Sequence, residues 1–248
     1  MSKIKLFCFP YAGGSGAIYS SWKHALYSTN VEPIPVELAG RGTRIREPLY
    51  RSLEEAVEDL YQIIGKDITD GPYALFGHSL GGLLVYELAR KIESLGVRRP
   101  VHLFFSGRGA PCVPRVKKNY HLMEEEVFRK SVIDLGGTAP EIFDHPELLE
   151  VFLPVLRNDF KLAETEPEDN GQTAFECDIT VFLGKEDKWI NEERAIGWTR
   201  NTKGVCSIHY FNGGHFFLHD EMAGIYNLIG STLAREKVVK PYFQSLNA

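Results

Sequence analysis

Apolar runs of strand length alternate along this chain with segments of helical period. Lys3 to Phe9, Glu32 to Glu37, Tyr73 to Phe76, Val101 to Phe105, Ile179 to Leu183 and Val205 to Phe211 read as strands, and Leu53 to Ile64, Leu80 to Leu95 and Met222 to Leu233 read as helices. Short apolar strands joined by helices belong to a mostly parallel sheet covered on both faces, so the pattern predicts an α/β fold.

The rhythm breaks between about Cys112 and Thr173, where two helical stretches follow one another with no strand between them. The first, Glu124 to Leu135, sets Val127, Ser131 and Leu135 on one face and ends at Gly136-Gly137, a natural C-cap. The second, Pro146 to Glu164, is crowded with large apolar residues (Leu148, Leu149, Val151, Phe152, Leu153, Val155, Leu156, Phe160), and Pro154 predicts a kink. Residues 112–173 therefore read as a helical insertion within one domain spanning 1–248. At the C-terminal edge of a sheet such an excursion is placed to roof a site; its apolar residues serve equally well as ordinary core. Lys237 to Ala248 lose the periodicity and are expected to fray.

Composition narrows the function classes. The chain has 248 residues, 44% of them hydrophobic, enough to bury a core without staples. With 33 acidic against 28 basic residues the net charge is -5, so no general positive field exists to hold nucleic acid or an anionic membrane. The N-terminal strand is too short for a signal segment, and no apolar stretch approaches roughly 18 residues, so a soluble cytoplasmic protein is expected. Cys8, Cys112, Cys177 and Cys206 lie too far apart for a Cys-x-x-Cys zinc spacing or a dense disulfide framework, and read as reduced thiols.

The sharpest chemical signal is Gly77-His78-Ser79-Leu80-Gly81-Gly82, a Gly-x-Ser-x-Gly run set between the strand ending at Phe76 and the helix beginning at Leu80. That setting is a nucleophile elbow, in which a strained turn exposes the serine hydroxyl at a helix N-terminus and flanking glycines leave room for the neighbouring strand and helix. A serine hydroxyl needs a base oriented by a carboxylate. Of eight histidines, only His215 sits in a turn, Asn212-Gly213-Gly214-His215, directly after a strand and before the last helix. His24, His121 and His145 fall outside that slot, His102 and His209 lie inside strands, and His78 adjoins the nucleophile. His215 and His219 are four apart, but Phe216 stands where a His-Glu-x-x-His zinc helix needs its glutamate, so no metal is expected. Asp187, in the loop after strand Ile179 to Leu183, is the matching acid; Glu186 reads as a solvated charge, and Asp178 begins the strand, at the wrong end of the sheet.

Phe9-Pro10-Tyr11-Ala12-Gly13-Gly14-Ser15-Gly16 follows the first strand. A dinucleotide loop is disfavoured because Tyr19 stands where the last small residue of Gly-x-Gly-x-x-Gly belongs, and no Gly-Lys-Ser/Thr follows to make a P-loop. It reads either as a plain turn or as the loop of an α/β-hydrolase that aims a backbone N–H at an oxyanion, the donors then being Ala12 and Leu80.

With these motifs in hand, the chain resembles the type II (stand-alone) thioesterases that accompany nonribosomal peptide and polyketide synthases. The resemblance runs nearly end to end: Phe9 to Gly14, Glu37-Leu38-Ala39-Gly40-Arg41-Gly42, Gly71-Pro72-Tyr73, Gly77-His78-Ser79, Phe152 to Asp159, Gly184-Lys185-Glu186-Asp187 and Gly213-Gly214-His215-Phe216-Phe217. One departure is Ala39, where the family often carries Pro. The resemblance implies an α/β-hydrolase fold and hydrolysis of acyl groups from the phosphopantetheine arm of acyl- or peptidyl-carrier proteins, with Ser79, Asp187 and His215 as triad. A cofactor-free monomer is expected. Two other activities fit the same residues: a medium-chain fatty acyl thioesterase serving fatty acid synthase, and a small-molecule carboxylesterase. The clusters Arg41 to Arg46 and Arg115-Val116-Lys117-Lys118 read either as docking surfaces for an acidic carrier, with Arg115, Lys117 and Lys118 the contact residues, or as solvated charge.

Overall fold

Among the described residues six strands, all parallel, form one sheet in the order β2-β1-β3-β4-β5-β6: β1 Ile4–Phe9, β2 Val31–Pro35, β3 Tyr73–His78, β4 His102–Ser106, β5 Asp178–Gly184 and β6 Cys206–Phe211. The structure is a computed structural model and describes residues 3–115, 118–137, 145–165 and 173–235. Lys117 and the terminal segment from Lys237 lie outside the described residues. The seven helices among the described residues are α1 Trp22–Ala25, α2 Leu53–Asp70, α3 Leu80–Ser94, α4 Glu125–Leu135, α5 Pro146–Glu164, α6 Glu192–Ile196 and α7 Met222–Arg235.

Strand side chains alternate between two cores, as the two-residue period of a strand requires. Ile4, Leu6 and Cys8 of β1, Ala74 and Phe76 of β3 and Phe104 of β4 face α1 and α7, packing with Trp22, Ile225 and Ile229. Phe7 and Phe9, Tyr73 and Leu75, Leu103 and Phe105 face α2 and α3, among Leu60, Ile64, Leu84 and Leu88. Burial of each such aliphatic side chain contributes about 1.5–3 kcal/mol.

Two elements depart from the periodicity reading. Helix α2 continues past Ile64 to Asp70, because Ile68 extends the buried stripe Leu53, Val57, Leu60, Ile64 by one more turn and outweighs the cost of Gly65 in the helix interior. Ser52 caps its start, accepting the N–H of Glu55 at 3.2 Å. In α4 the buried residues are Phe128 and Val132; Val127, which shares a face with Ser131 and Leu135, is 53% exposed. The larger aromatic decides the rotation, since Phe128 packs edge-on to Phe160 of α5 at 5.3 Å. Gly136 ends α4 in the left-handed conformation at φ +84°, the C-cap the sequence predicts. Helix α5 runs through Pro154 without a break, and of its apolar residues Leu148 and Val151 remain exposed. No strand among the described residues lies between β4 and β5. There α4 and α5 build a small core of their own, Tyr120, Phe128, Val132, Leu156 and Phe160, against which Ala12 packs. No helix among the described residues is long and apolar enough to cross a membrane.

Candidate active site

The loops that leave the C-terminal ends of β1, β3, β5 and β6 converge on one edge of the sheet, where ligands bind in open α/β folds. Register makes this possible: Phe9 lies beside Gly77, Gly77 beside Phe105, and Gly184 beside Phe211.

Ser79 follows β3 with φ 55° and ψ -110°, a conformation rare for a residue with a Cβ, and its N–H donates to the Ser106 carbonyl at 2.8 Å. The turn closes only because its flanks are glycines. A Cβ on Gly77 would sit 2.1 Å from the Gly81 carbonyl oxygen, and one on Gly81 would sit 2.1 Å from that of Phe9. Helix α3 then starts at once, presenting its first N–H groups toward the serine.

The acid and base loops are tied together before their side chains meet. Lys185 N–H donates to Phe211 O at 2.9 Å and Glu186 N–H to Gly213 O at 3.0 Å, while a Cβ on Gly184 would strike Gly214 O at 2.2 Å. This brings Asp187 Oδ2 to 2.8 Å from His215 Nδ1, and His215 Nε2 to 3.0 Å from Ser79 Oγ. The Asp187 side chain is 1% exposed and that of His215 8%. The second carboxylate oxygen, Oδ1, accepts the backbone N–H of Trp189 at 2.9 Å, and the Trp189 ring stacks on His215 at 5.8 Å. Glu186 is exposed and Asp178 lies at the opposite end of β5.

The other histidines have different partners. His78 is buried with Nδ1 at 2.9 Å from Ser106 Oγ; burial first, then the charges of His215 and His219, hold its imidazole well below the usual range. His219 turns Nε2 toward the Tyr11 hydroxyl at 3.2 Å, His102 meets Thr180 Oγ1 at 2.8 Å, and His121 meets Glu164 Oε2 at 2.6 Å. Among the described residues no group of three or more His, Cys, Asp or Glu side chains is arranged to hold a metal ion.

Ser79, His215 and Ala12 line a cavity of about 350 Å³. Val132, Leu135, Leu156 and Phe160 give it an apolar roof, and Trp189, Ile190 and Phe216 a second wall. Arg115, Lys118 and Lys188 lie on its rim, two of them the exposed lysines that mark where it meets solvent. Lys118 Nζ stands over the stacked Tyr120 and Trp189 rings, at 5.7 and 5.9 Å. Arg115 donates to the Ala163 carbonyl. Arg41, by contrast, is no surface charge. It is 5% exposed and forks onto Asp159 of α5 at 2.5 and 2.7 Å. Arg44 binds Glu47, Asp59 and Tyr50, so two of the three arginines of this first basic cluster are engaged within the fold, while Arg46 is exposed. The Arg41–Asp159 pair and the place of Trp189 beside His215 are not readable from spacing, because each joins segments that no local motif connects.

Residues 4–233 match the model of the thioesterase-domain family. The chain is 36% identical over 219 residues to the gramicidin S biosynthesis protein GrsT of Aneurinibacillus migulanus, covering 88% of this chain and 84% of that protein. It is 36% identical over 217 residues to the medium-chain S-acyl fatty acid synthase thioesterase of Anas platyrhynchos, covering 86% and 85%. A solved structure, the type II thioesterase BorB from the borrelidin biosynthetic cluster, is 32% identical and superposes with a TM-score of 0.83 over 93% of each chain.

Proposed function

This chain belongs to the thioesterase-domain family, and on that premise we propose that it is a type II thioesterase that hydrolyses acyl groups from the phosphopantetheine arms of carrier proteins in nonribosomal peptide or polyketide synthesis. The observation that carries the mechanism is the relay Ser79–His215–Asp187, joined at 3.0 and 2.8 Å on the floor of a partly apolar cavity.

In this mechanism the Ser79 hydroxyl attacks the thioester carbonyl while His215 Nε2 takes its proton and Asp187 holds the Nδ1–H tautomer. The oxyanion of the tetrahedral intermediate accepts hydrogen bonds from the N–H groups of Ala12 and Leu80. Collapse breaks the C–S bond, His215 returns the proton to the departing thiol, and an acyl ester remains on Ser79. Water, deprotonated by the same imidazole, attacks that ester; the acyl C–Oγ bond breaks, His215 returns the proton to Ser79 Oγ, and the acid leaves. Residues 112–173 act as a lid, its α5 supplying Leu156 and Phe160 above the serine. The carrier docks at the rim beside Arg115 and Lys118, where basic side chains suit an acidic partner, and the neighbouring Lys117 adds to that charge in the sequence. The enzyme acts as a monomer in the cytoplasm.

A second reading, a medium-chain fatty acyl thioesterase, is favoured by the similarity to the duck enzyme. Acyl chain length separates the two. A fluorophosphonate probe should label Ser79 and no other serine, and hydrolysis of carrier-bound acetyl through dodecanoyl groups should favour the short chains. A maximum at medium chains would move the assignment to fatty acid synthesis, and absence of Ser79 labelling would remove the serine mechanism.

A further inference from the structure

We propose that Asp159, on α5, is a positioning residue for the hydrolysis: through Arg41 and the Gly13 N–H it fixes the loop that presents the Ala12 N–H to the oxyanion. The inference rests on the reading of Ala12 as an oxyanion donor and adds to it the lid residue that sets that donor.

Three segments distant in the chain meet at one buried carboxylate. Asp159 is fully buried, and its Oδ2 accepts the Gly13 N–H at 2.7 Å as well as Arg41 Nη1 at 2.5 Å, while Oδ1 accepts Arg41 Nη2 at 2.7 Å. Arg41 Nη1 also reaches the Gly14 carbonyl at 3.3 Å, so the guanidinium grips the loop and the carboxylate together. Burial alone would lower the basicity of Arg41, but the hydrogen bond and charge of Asp159 raise it, so the guanidinium keeps its proton. Helix α5 also packs directly on the loop: a Cβ on Gly13, whose φ is +76°, would lie 2.8 Å from Leu156 Cδ1 and 3.0 Å from the Phe152 ring. From the other side Glu37 holds Gly16 N–H at 3.0 Å and Ser15 Oγ at 2.7 Å.

The geometry matters because of which peptide is held. Peptide groups are planar, so the Ala12 and Gly13 N–H groups belong to adjacent rigid planes that share the Ala12 Cα. With the Gly13 plane tied to Asp159, only φ and ψ of Ala12 remain to orient its own N–H. Apolar packing would stabilise this contact as well as a buried ion pair does. What the charged pair adds is direction, which a catalytic hydrogen bond needs and a fold does not.

The test compares wild type, Asp159→Asn and Arg41→Lys on acetyl-N-acetylcysteamine, with folding checked by thermal melts. In both variants kcat should fall about 10- to 100-fold, the size of loss that a small misplacement of a catalytic group produces, with KM within twofold. Affinity for a trifluoromethyl ketone analogue, which adds Ser79 Oγ and forms a tetrahedral oxyanion, should weaken by the same factor. Affinity for the matching thioether, which forms none, should not change, and neither should the pH midpoint of kcat/KM, because His215 and Asp187 are untouched. The double variant should lose no more than the weaker single one, since the two residues act as a unit. Should Asp159→Asn not fold, Arg41→Lys carries the same comparison. Folded variants that keep kcat and trifluoromethyl ketone affinity within twofold of wild type would overturn the proposal, and so would equal losses for both analogues. Failure of the underlying reading is separable, because it would show in the wild type itself, as a trifluoromethyl ketone bound no more tightly than the matching thioether.

Discussion

Replacing Asp187 with Asn keeps the shape of the side chain and leaves the hydrogen-bond arithmetic unbalanced. One oxygen of Asp187 faces His215 Nδ1 and the other faces the Trp189 N–H. An asparagine has only one oxygen for these two donors. With its oxygen kept on Trp189, its NH2 donates to Nδ1, and the proton of the imidazole moves to Nε2, opposite Ser79 Oγ at 3.0 Å, where no base remains. Flipped, it restores the tautomer but sets its NH2 against the Trp189 N–H. Orphaning that donor costs about 1 kcal/mol, the low end for a part-exposed group, which leaves about a fifth of molecules competent. These lack the carboxylate charge opposite the imidazolium, about 4 kcal/mol for charges about 4 Å apart at an effective dielectric of about 20, or about a thousandfold. The product, about 5 × 10³-fold, is close to the roughly 10⁴-fold loss that the same substitution causes in the chymotrypsin-type triad. The assay is kcat on acyl-N-acetylcysteamine together with the rate of fluorophosphonate labelling at Ser79, which needs the same proton removal. Asp187→Asn retaining more than a tenth of wild-type kcat, or Glu186→Gln losing about 5 × 10³-fold, would remove Asp187 as the acid of the triad.

Ser79→Ala and His215→Ala should each cut turnover by several orders of magnitude, and the double variant should lose no more than the worse of them, because they act in one step; additive losses would contradict this. Gly81→Ala drives a Cβ to 2.1 Å from the Phe9 carbonyl and should cost about 1–3 kcal/mol, read as a Tm lower by about 2–12 °C, while Gly65→Ala, which meets nothing within 4 Å, should raise the Tm slightly. Stability should fall on acidification: His78 stays neutral in the fold, so below its unfolded pKa of 6.5 only the unfolded chain takes the proton. The loss sets in as pH drops through that value and continues toward the lower folded pKa, at up to about 1.4 kcal/mol per pH unit for one histidine. Urea titrations between pH 7.5 and 5.5 read it directly, and a midpoint that does not move would contradict the burial argument.

What is legible in the chain is what local geometry dictates. Gly77 and Gly81 flank a serine because a Cβ at either would strike backbone, and that constraint is written within five residues. Asp187 and His215 follow from position, each in the first loop after a late strand, so chain order is enough to choose them. The rotation of α4 is not legible, because Val127 and Phe128 both fit an amphipathic period and only the ring of Phe160 across the interface chooses between them. Arg41 passes for surface charge in the sequence for the same kind of reason. Its partner Asp159 lies 118 residues away, on a helix whose docking no periodicity reveals. Long-range pairs of this sort are specified by the assembled fold, while turn chemistry is specified where it stands.

Whether this enzyme clears acyl groups from carrier proteins is decided by presenting one acetyl group on a holo-carrier protein and on N-acetylcysteamine and comparing kcat/KM. Carrier docking gives a higher value on the carrier, a steep fall of that advantage with salt, and its loss in a charge reversal of Arg115, Lys117 and Lys118 that leaves the small-thiol rate intact. Equal values on the two substrates, insensitive to salt and to the reversal, would contradict it and identify a small-molecule esterase.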